Sequence, residues 1–156
     1  MIKAIIFDWG GVCTYGGHSR RFAEMIAEQT HLNARKIRAA FLKYNCMYET
    51  EELNKRQFWK RFKGEIGDNH TMAFYTKYRF ICYKANHRML RFIKQLKKNY
   101  ITVLCTNNNR EMYAYIKKKH ALKEYFNLMI CSSKYVSRKP EKKIYLHIVN
   151  RLRLKP

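Results

Sequence analysis

The segment Lys3-Ala4-Ile5-Ile6-Phe7-Asp8-Trp9-Gly10-Gly11-Val12 decides the fold. Ala4 to Phe7 is a short apolar run and reads as a buried strand. It ends on a carboxylate, Asp8, with two glycines close behind. Glycine just after a strand marks a tight turn and a close approach of backbone to whatever binds there. In parallel α/β sheets, ligands sit just beyond the carboxyl ends of the strands, which is where Asp8 falls. Taken alone, Asp8 fits an ordinary strand-end turn as well as it fits a reacting group.

Downstream of this turn, Tyr15-Gly16-Gly17 reads as a hinge into a helical block, residues 17–85. Arg21 to Gln29 sets Phe22, Met25 and Ile26 on one face. Asn33 caps a second helix carrying Ile37, Ala40, Phe41 and Tyr44. Asn54 with Gln57 three residues on forms a capping-box pattern before Lys55 to Ile66. That helix buries Phe58, Trp59 and Phe62 and stops at Gly67. A fourth helix spans about Thr71 to Lys84. No part of the block reads as strand.

From Ala85-Asn86 the pattern changes. Asn86 opens a helix with Met89, Leu90, Phe92, Ile93 and Leu96 inward. Tyr100 to Cys105 is a second buried strand, ending at the polar cluster Thr106-Asn107-Asn108-Asn109. A helix follows from Arg110 to His120, then a third strand, Leu128 to Cys131. Ser132 to Lys139 reads as a loop, and Pro140 fits the first turn of a last helix reaching about Leu154. Strands alternating with helices imply right-handed crossovers and a parallel sheet. The expected fold class is therefore α/β: a Rossmann-like parallel sheet of three strands with an inserted α-helical cap. Residues 1–16 and 86–156 form the core, and residues 17–85 form the cap, which is too long for a plain crossover.

Three strand ends or following loops offer polar groups in the order Asp8, Thr106-Asn107, Lys139. The strand followed by Asp-x-Gly-Gly-Val resembles the first motif of haloacid dehalogenase-like (HAD) hydrolases. Arg138-Lys139-Pro140-Glu141-Lys142-Lys143-Ile144-Tyr145 resembles the Lys-Pro string of the same family, and Glu52 to Trp59 resembles the start of a cap helix in its subgroup IA. The resemblance covers nearly the whole chain. It implies that Asp8 is a nucleophile that carries a covalent aspartyl-phosphate, and that Lys139 steadies its charge. It assigns the phosphate to Thr106, Asn107 and Gly11, and a Mg²⁺ ion to Asp8 and the Gly10 backbone carbonyl. These residue types suit the chemistry: a covalent step splits one difficult displacement into two. The phosphoryl transition state needs donors and a cation held in place.

Two departures from the family pattern shape the expectation. The family commonly carries a second Asp two residues after the nucleophile, as acid and base; this chain has Gly10 there. Losing a general acid removes a factor of roughly 10²–10⁴, so activity should be impaired and should favour anomeric or aryl phosphates, whose leaving groups need little protonation. Where the family has a further strand and an acidic metal-binding motif, this sequence has Leu154-Lys155-Pro156. Weak Mg²⁺ binding is expected, since Asp68 in the cap is the only other Asp. The first strand should also lie at an open edge, a site for self-pairing or aggregation.

Composition bounds the alternatives. Apolar residues at 47% and aromatics at 15% exclude a disordered chain. The net charge of +22, from 33 Lys+Arg against 11 Asp+Glu, draws the protein to polyanions. Nonspecific nucleic-acid binding is thus an expected partner class, beside a small phosphorylated substrate. A catalytically inactive HAD-like fragment that binds nucleic acid or another polyanion is the alternative to a phosphatase. Cys13, Cys46, Cys82, Cys105 and Cys131 form no CxxC pair, which argues against a zinc site or disulfide framework and fits a reducing cytoplasm. No charged-then-apolar leader opens the chain, and no apolar run approaches the roughly 18 residues of a membrane span.

Overall fold

The computed structural model describes residues 1–154. Three parallel strands, β1 (Ala4–Phe7), β2 (Ile101–Thr106) and β3 (Leu128–Cys131), form one sheet in the order β1-β2-β3. The register pairs Phe7 with Leu104 and Thr106 with Cys131. All three carboxyl ends therefore lie along the same side of the sheet, as parallel pairing requires.

Among the described residues, eight α-helices accompany the strands: α1 (His18–Thr30), α2 (Ala34–Glu49), α3 (Lys55–Ile66), α4 (Met72–Ile81), α5 (His87–Leu96), α6 (Arg110–Lys119), α7 (Ser132–Tyr135) and α8 (Lys142–Leu152). The central strand β2 has period-two burial on both faces. Leu104 joins Leu90, Ile93, Met112, Ile116 and Phe126 on one side. Val103 and Cys105 meet Ile130, Ile144 and Ile148 on the other, beneath α8. No helix among the described residues is long and apolar enough to cross a membrane.

The chain leaves the sheet and returns to it through one paired pair of segments. Tyr15 N–H donates to the Lys84 carbonyl, and Asn86 N–H to the Cys13 carbonyl, each at 2.9 Å. Between them, α1 to α4 close on an aromatic core of Phe22, Phe41, Phe58, Trp59, Phe62 and Tyr75, each at most 2% exposed. Phe22 and Phe41 lie 4.9 Å apart between centroids, and Trp59 stacks on Tyr75 at 5.3 Å. Contacts of this kind add roughly 0.5–1.5 kcal/mol per pair beyond burial. Short polar side chains set the helix starts. Asn33 Oδ1 accepts from two backbone amides, and Asn54 and Gln57 cap each other reciprocally. Gly67 ends α3 in the left-handed region, at φ 74°.

The structure corrects three sequence expectations. Phe92, expected inward, is 50% exposed. Leu90 and Ile93 define the buried face of α5, and two steps of 100° from Leu90 carry Phe92 to the opposite side. The stretch Ser132–Tyr135, expected as loop, forms the single turn α7. Pro140 lies before the last helix and not in its first turn. A turn in which Glu141 N–H donates to the Arg138 carbonyl (2.8 Å) delays α8 to Lys142.

Among the described residues β1 pairs with β2 alone and forms an edge of the sheet, with Ile6 43% exposed there. Lys155 and Pro156 lie outside the described residues.

Candidate active site

At the carboxyl ends of the strands, a cavity of about 230 Å³ is lined by residues from every part of the chain. Asp8 and Gly10 come from the turn after β1. Thr106, Asn107 and Asn108 come from the end of β2, and Arg138 and Lys139 from the loop before α8. His18, Asn45, Glu49 and Tyr83 reach it from the helical insert.

Asp8 and Lys139 meet directly: Lys139 Nζ lies 2.6 Å from Asp8 Oδ1. The same oxygen accepts from Trp9 N–H at 2.7 Å. One carboxylate oxygen is thus fixed by an ammonium and an amide, which orients the other. The lysine side chain is 19% exposed and the aspartate 39% exposed, so the pair is open on the cavity side.

Thr106 is 1% exposed, and its hydroxyl oxygen accepts from Asn108 Nδ2 at 2.9 Å. The Asn107 amide is engaged twice by one residue. Its Nδ2 donates to the Lys139 carbonyl (3.1 Å), and its Oδ1 accepts from Lys139 N–H (2.9 Å). Asn107 thereby positions Lys139, besides lining the cavity. Gly11 sits in the left-handed region at φ 81°, and its N–H donates to Thr14 Oγ1 at 3.3 Å. It does not line the cavity. Asp8, Gly10, Thr106, Asn107 and Lys139 are therefore brought together, and Gly11 stands behind them.

The sequence reading assigned no role to His18, Asn45, Glu49, Tyr83, Asn108 or Arg138. One signal was available. Ile37, Phe41, Asn45 and Glu49 recur every four residues along α2, so a single stripe turns from apolar to polar as it reaches the cavity. Glu49 is 7% exposed, and burial raises its pKa above the usual carboxylate value, making it a weaker acid. It accepts from Asn45 Nδ2 at 2.7 Å and, at 3.4 Å, from Arg138 Nη2. Ser132 Oγ donates to the Glu49 carbonyl (2.9 Å) and accepts from Asn108 N–H (3.0 Å), joining the insert to the end of β2.

His18 stacks on Tyr83 with centroids 4.6 Å apart. Burial, then Arg79 and Arg21, lower its pKa to about 4, so it is neutral at pH 7. Its ring also stands over position 10: a Cβ added to Gly10 would lie 3.3 Å from His18 Cε1. The thiols near the site are not nucleophiles at neutral pH, because burial drives Cys13 up to about 12 and Cys105 to about 11.

The donors present fit a magnesium ion only thinly. No group of three acidic, histidine or cysteine side chains suited to a metal occurs among the described residues. Asp8 Oδ2 accepts no hydrogen bond among the described residues, and Gly10 lines the same cavity. Mg²⁺ takes much of its shell from water and substrate phosphate, which such a sparse set allows. Asp68 is in the insert, bonded to Tyr75 and His70, away from this cavity.

A parallel sheet with an acid at the first strand end, an ammonium paired to it and a helical insert above defines a class of α/β hydrolases. The chain belongs to the haloacid dehalogenase-like hydrolases, whose family model matches residues 2–156. Among solved structures it is similar to the HAD family enzyme bt-2542 from Bacteroides thetaiotaomicron, crystallised with magnesium and inorganic phosphate. That match has a TM-score of 0.74 and 16% identity over 99% of this chain and 80% of the other. It is also similar to a predicted HAD-like family hydrolase from Porphyromonas gingivalis (TM-score 0.69, 20% identity, 100% and 78% covered). A third is the L-2-haloacid dehalogenase from Xanthobacter autotrophicus with chloropropionic acid covalently bound (TM-score 0.70, 14% identity, 100% and 67% covered). No match was found among the curated proteins.

Proposed function

We propose that this hydrolase acts on phosphate monoesters of small metabolites through an aspartyl-phosphate on Asp8. The observation that carries the reading is the Lys139–Asp8 pair at 2.6 Å, on the wall of a cavity that also holds Arg138, Asn107 and Asn108. Two cations and several amides suit a doubly charged phosphoryl group. An α-haloacid carries a single carboxylate and an apolar carbon, and the walls around Asp8 are mostly polar.

In this reading an Asp8 carboxylate oxygen attacks phosphorus while the bond from phosphorus to the leaving oxygen breaks. Water then attacks the same phosphorus, freeing inorganic phosphate and restoring the Asp8 carboxylate. Lys139 offsets charge on Asp8 and on the phosphoryl oxygens, and Asn107 holds the Lys139 backbone in place. A bound Mg²⁺, held by Asp8 and the Gly10 carbonyl, would supply further charge neutralisation at the phosphoryl oxygens. Gly10 offers no proton to the leaving oxygen, so anomeric and aryl phosphates are the favoured substrates. The α1–α4 insert, with His18 and Glu49 on the cavity wall, acts as the lid that limits water.

The test is hydrolysis of a phosphate-ester panel with Mg²⁺ by wild type and Asp8→Asn. The expected result is turnover that falls at least 10³-fold in the variant, on the order of a lost covalent nucleophile. Release of halide from 2-chloropropionate without phosphate release would replace this reading with dehalogenation. No turnover on either substrate class would favour the inactive, polyanion-binding alternative.

A further inference from the structure

A second concave site lies on the outer face of the insert and shares no residue with the Asp8 cavity. It is a groove of about 660 Å³ lined by Arg56, Lys60, Lys63, Gly64, Asp68 and Met72, among others. The three cations stand at positions i, i+4 and i+7 of α3. At 100° per residue they fall within an arc of about 60° on one side of the helix. At 1.5 Å per residue they span about 10 Å along the axis, with steps of about 6 and 4.5 Å.

Carboxylates are few, and among the described residues they pair with only a minority of the cations. Acidic side chains pair with Arg20, Lys43, Lys55, Lys94, Arg110, Arg138 and Lys139. None pairs with Arg56, Lys60 or Lys63 among the described residues. The one carboxylate in the groove, Asp68, is engaged by the Tyr75 hydroxyl and the His70 ring. Lys63 Nζ donates to the Asn69 carbonyl at 3.2 Å, which holds its ammonium at the groove wall. Gly64 and Gly67 leave the floor open, since a Cβ at either would meet nothing within 4 Å. A glycine inside a helix costs roughly 0.5–1 kcal/mol against alanine, and no packing contact demands it at Gly64. Met72, 41% exposed, adds an apolar surface at the rim.

We propose that this groove binds the sugar-phosphate backbone of a single-stranded nucleic acid. Repeated anions a few ångströms apart match a ladder of cations with that spacing, and the open floor admits the backbone closely. The exposed Met72 thioether gives a base an apolar face. A single small anion would not use all three cations, and a single strand can turn its bases toward Met72 while its phosphates follow the ladder.

The test is fluorescence anisotropy of the full chain with a labelled oligothymidylate over a range of salt. Each phosphate neutralised on a single strand contributes a slope of about −0.7 in log K against log salt. Replacing the three cations together (Arg56→Gln, Lys60→Gln and Lys63→Gln) should flatten the slope by about 2 and weaken binding at least tenfold at low salt. A control removes the same charge elsewhere, with Lys117→Gln, Lys118→Gln and Lys119→Gln, where consecutive positions splay around α6. It should change the slope by less than half as much. Circular dichroism of both variants should match wild type. Equal losses in the two triples would overturn the proposal in favour of diffuse charge. Competition by polyglutamate as effective as that by the oligonucleotide would overturn the choice of nucleic acid. Absence of salt-dependent binding by wild type would overturn the site itself.

Discussion

Restoring an acid at position 10 is the sharpest test of the catalytic reading, and the structure says that one substitution will not suffice. The Gly10 backbone, at φ −72° and ψ 117°, is open to any residue. The obstacle is the His18 ring. A Cβ at Gly10 would lie 3.3 Å from His18 Cε1, a few tenths of an ångström inside ordinary contact. His18 cannot simply swing aside, because it stacks on buried Tyr83 at 4.6 Å. A whole carboxymethyl group needs more room than a Cβ, so in Gly10→Asp the new carboxylate is turned away from the cavity or displaces the ring. A well-placed general acid contributes roughly 10²–10⁴ in rate, which is about 2.7–5.4 kcal/mol of barrier. Gly10→Asp alone should therefore raise kcat on an alkyl phosphate by less than tenfold. Gly10→Asp with His18→Ala should raise it at least a hundredfold over His18→Ala alone. The gain on p-nitrophenyl phosphate should be much smaller, because that leaving group needs no proton. Steady-state phosphate release with both substrates reads all four proteins, and adding Asp8→Asn to the double variant should abolish the gain. Full gain from Gly10→Asp alone would show that His18 is no obstacle. No gain in the double variant, on a substrate that wild type hydrolyses, would show that a missing proton donor is not what limits the rate.

Two further outcomes follow from other residues. His18 has a folded pKa of about 4 against an ordinary 6.5, so between those values the unfolded chain binds more protons and stability falls as pH falls. Urea unfolding at pH 7.5 and pH 4.5 should show wild type losing roughly 2–3 kcal/mol more than His18→Phe, which keeps the ring on Tyr83 and removes the titration; equal losses would mean that His18 is not held neutral. Val136 ends α7 with φ 46° and ψ 45° while 64% exposed, a conformation that costs a β-branched residue roughly 1–2 kcal/mol. Val136→Gly should raise stability by about 1 kcal/mol in the same assay, and a loss would contradict the assigned strain.

The sheet was legible in the sequence because each strand is a compact apolar run with a polar break after it. Leu128–Cys131 was placed to the residue, and Asn33, Asn54 and Asn86 marked helix starts that the structure shows. These signals are local. Phe92 was misplaced because a hydrophobic ring was counted as inward without checking its angle against Leu90 and Ile93. The pairing of Asp8 with Lys139 was an expectation of order and residue type, and both side chains reach the same cavity. What stayed hidden was the far wall. Glu49, His18 and Arg138 come together only when the insert folds over the strand ends. A buried carboxylate in a chain so rich in lysine looks, one residue at a time, like any surface charge. Asn107 was hidden differently: its residue type suits an anion, yet its two amide atoms answer the peptide of Lys139.

That reciprocal pair has a consequence for how the protein tolerates change. The Asn107 amide reads the Lys139 peptide as a neighbouring strand would, donor to carbonyl and carbonyl to donor, and Asn107 itself extends directly from the deeply buried central strand. The Lys139 ammonium, paired to Asp8, is thus tied through its own backbone to the end of the buried central strand. The two Asn107–Lys139 bonds themselves involve no residue of the helical roof, so substitutions there leave both of these partners in place. Exchanging that single amide for a carboxylate would set two acceptors face to face and loosen the anchor without touching either charged partner.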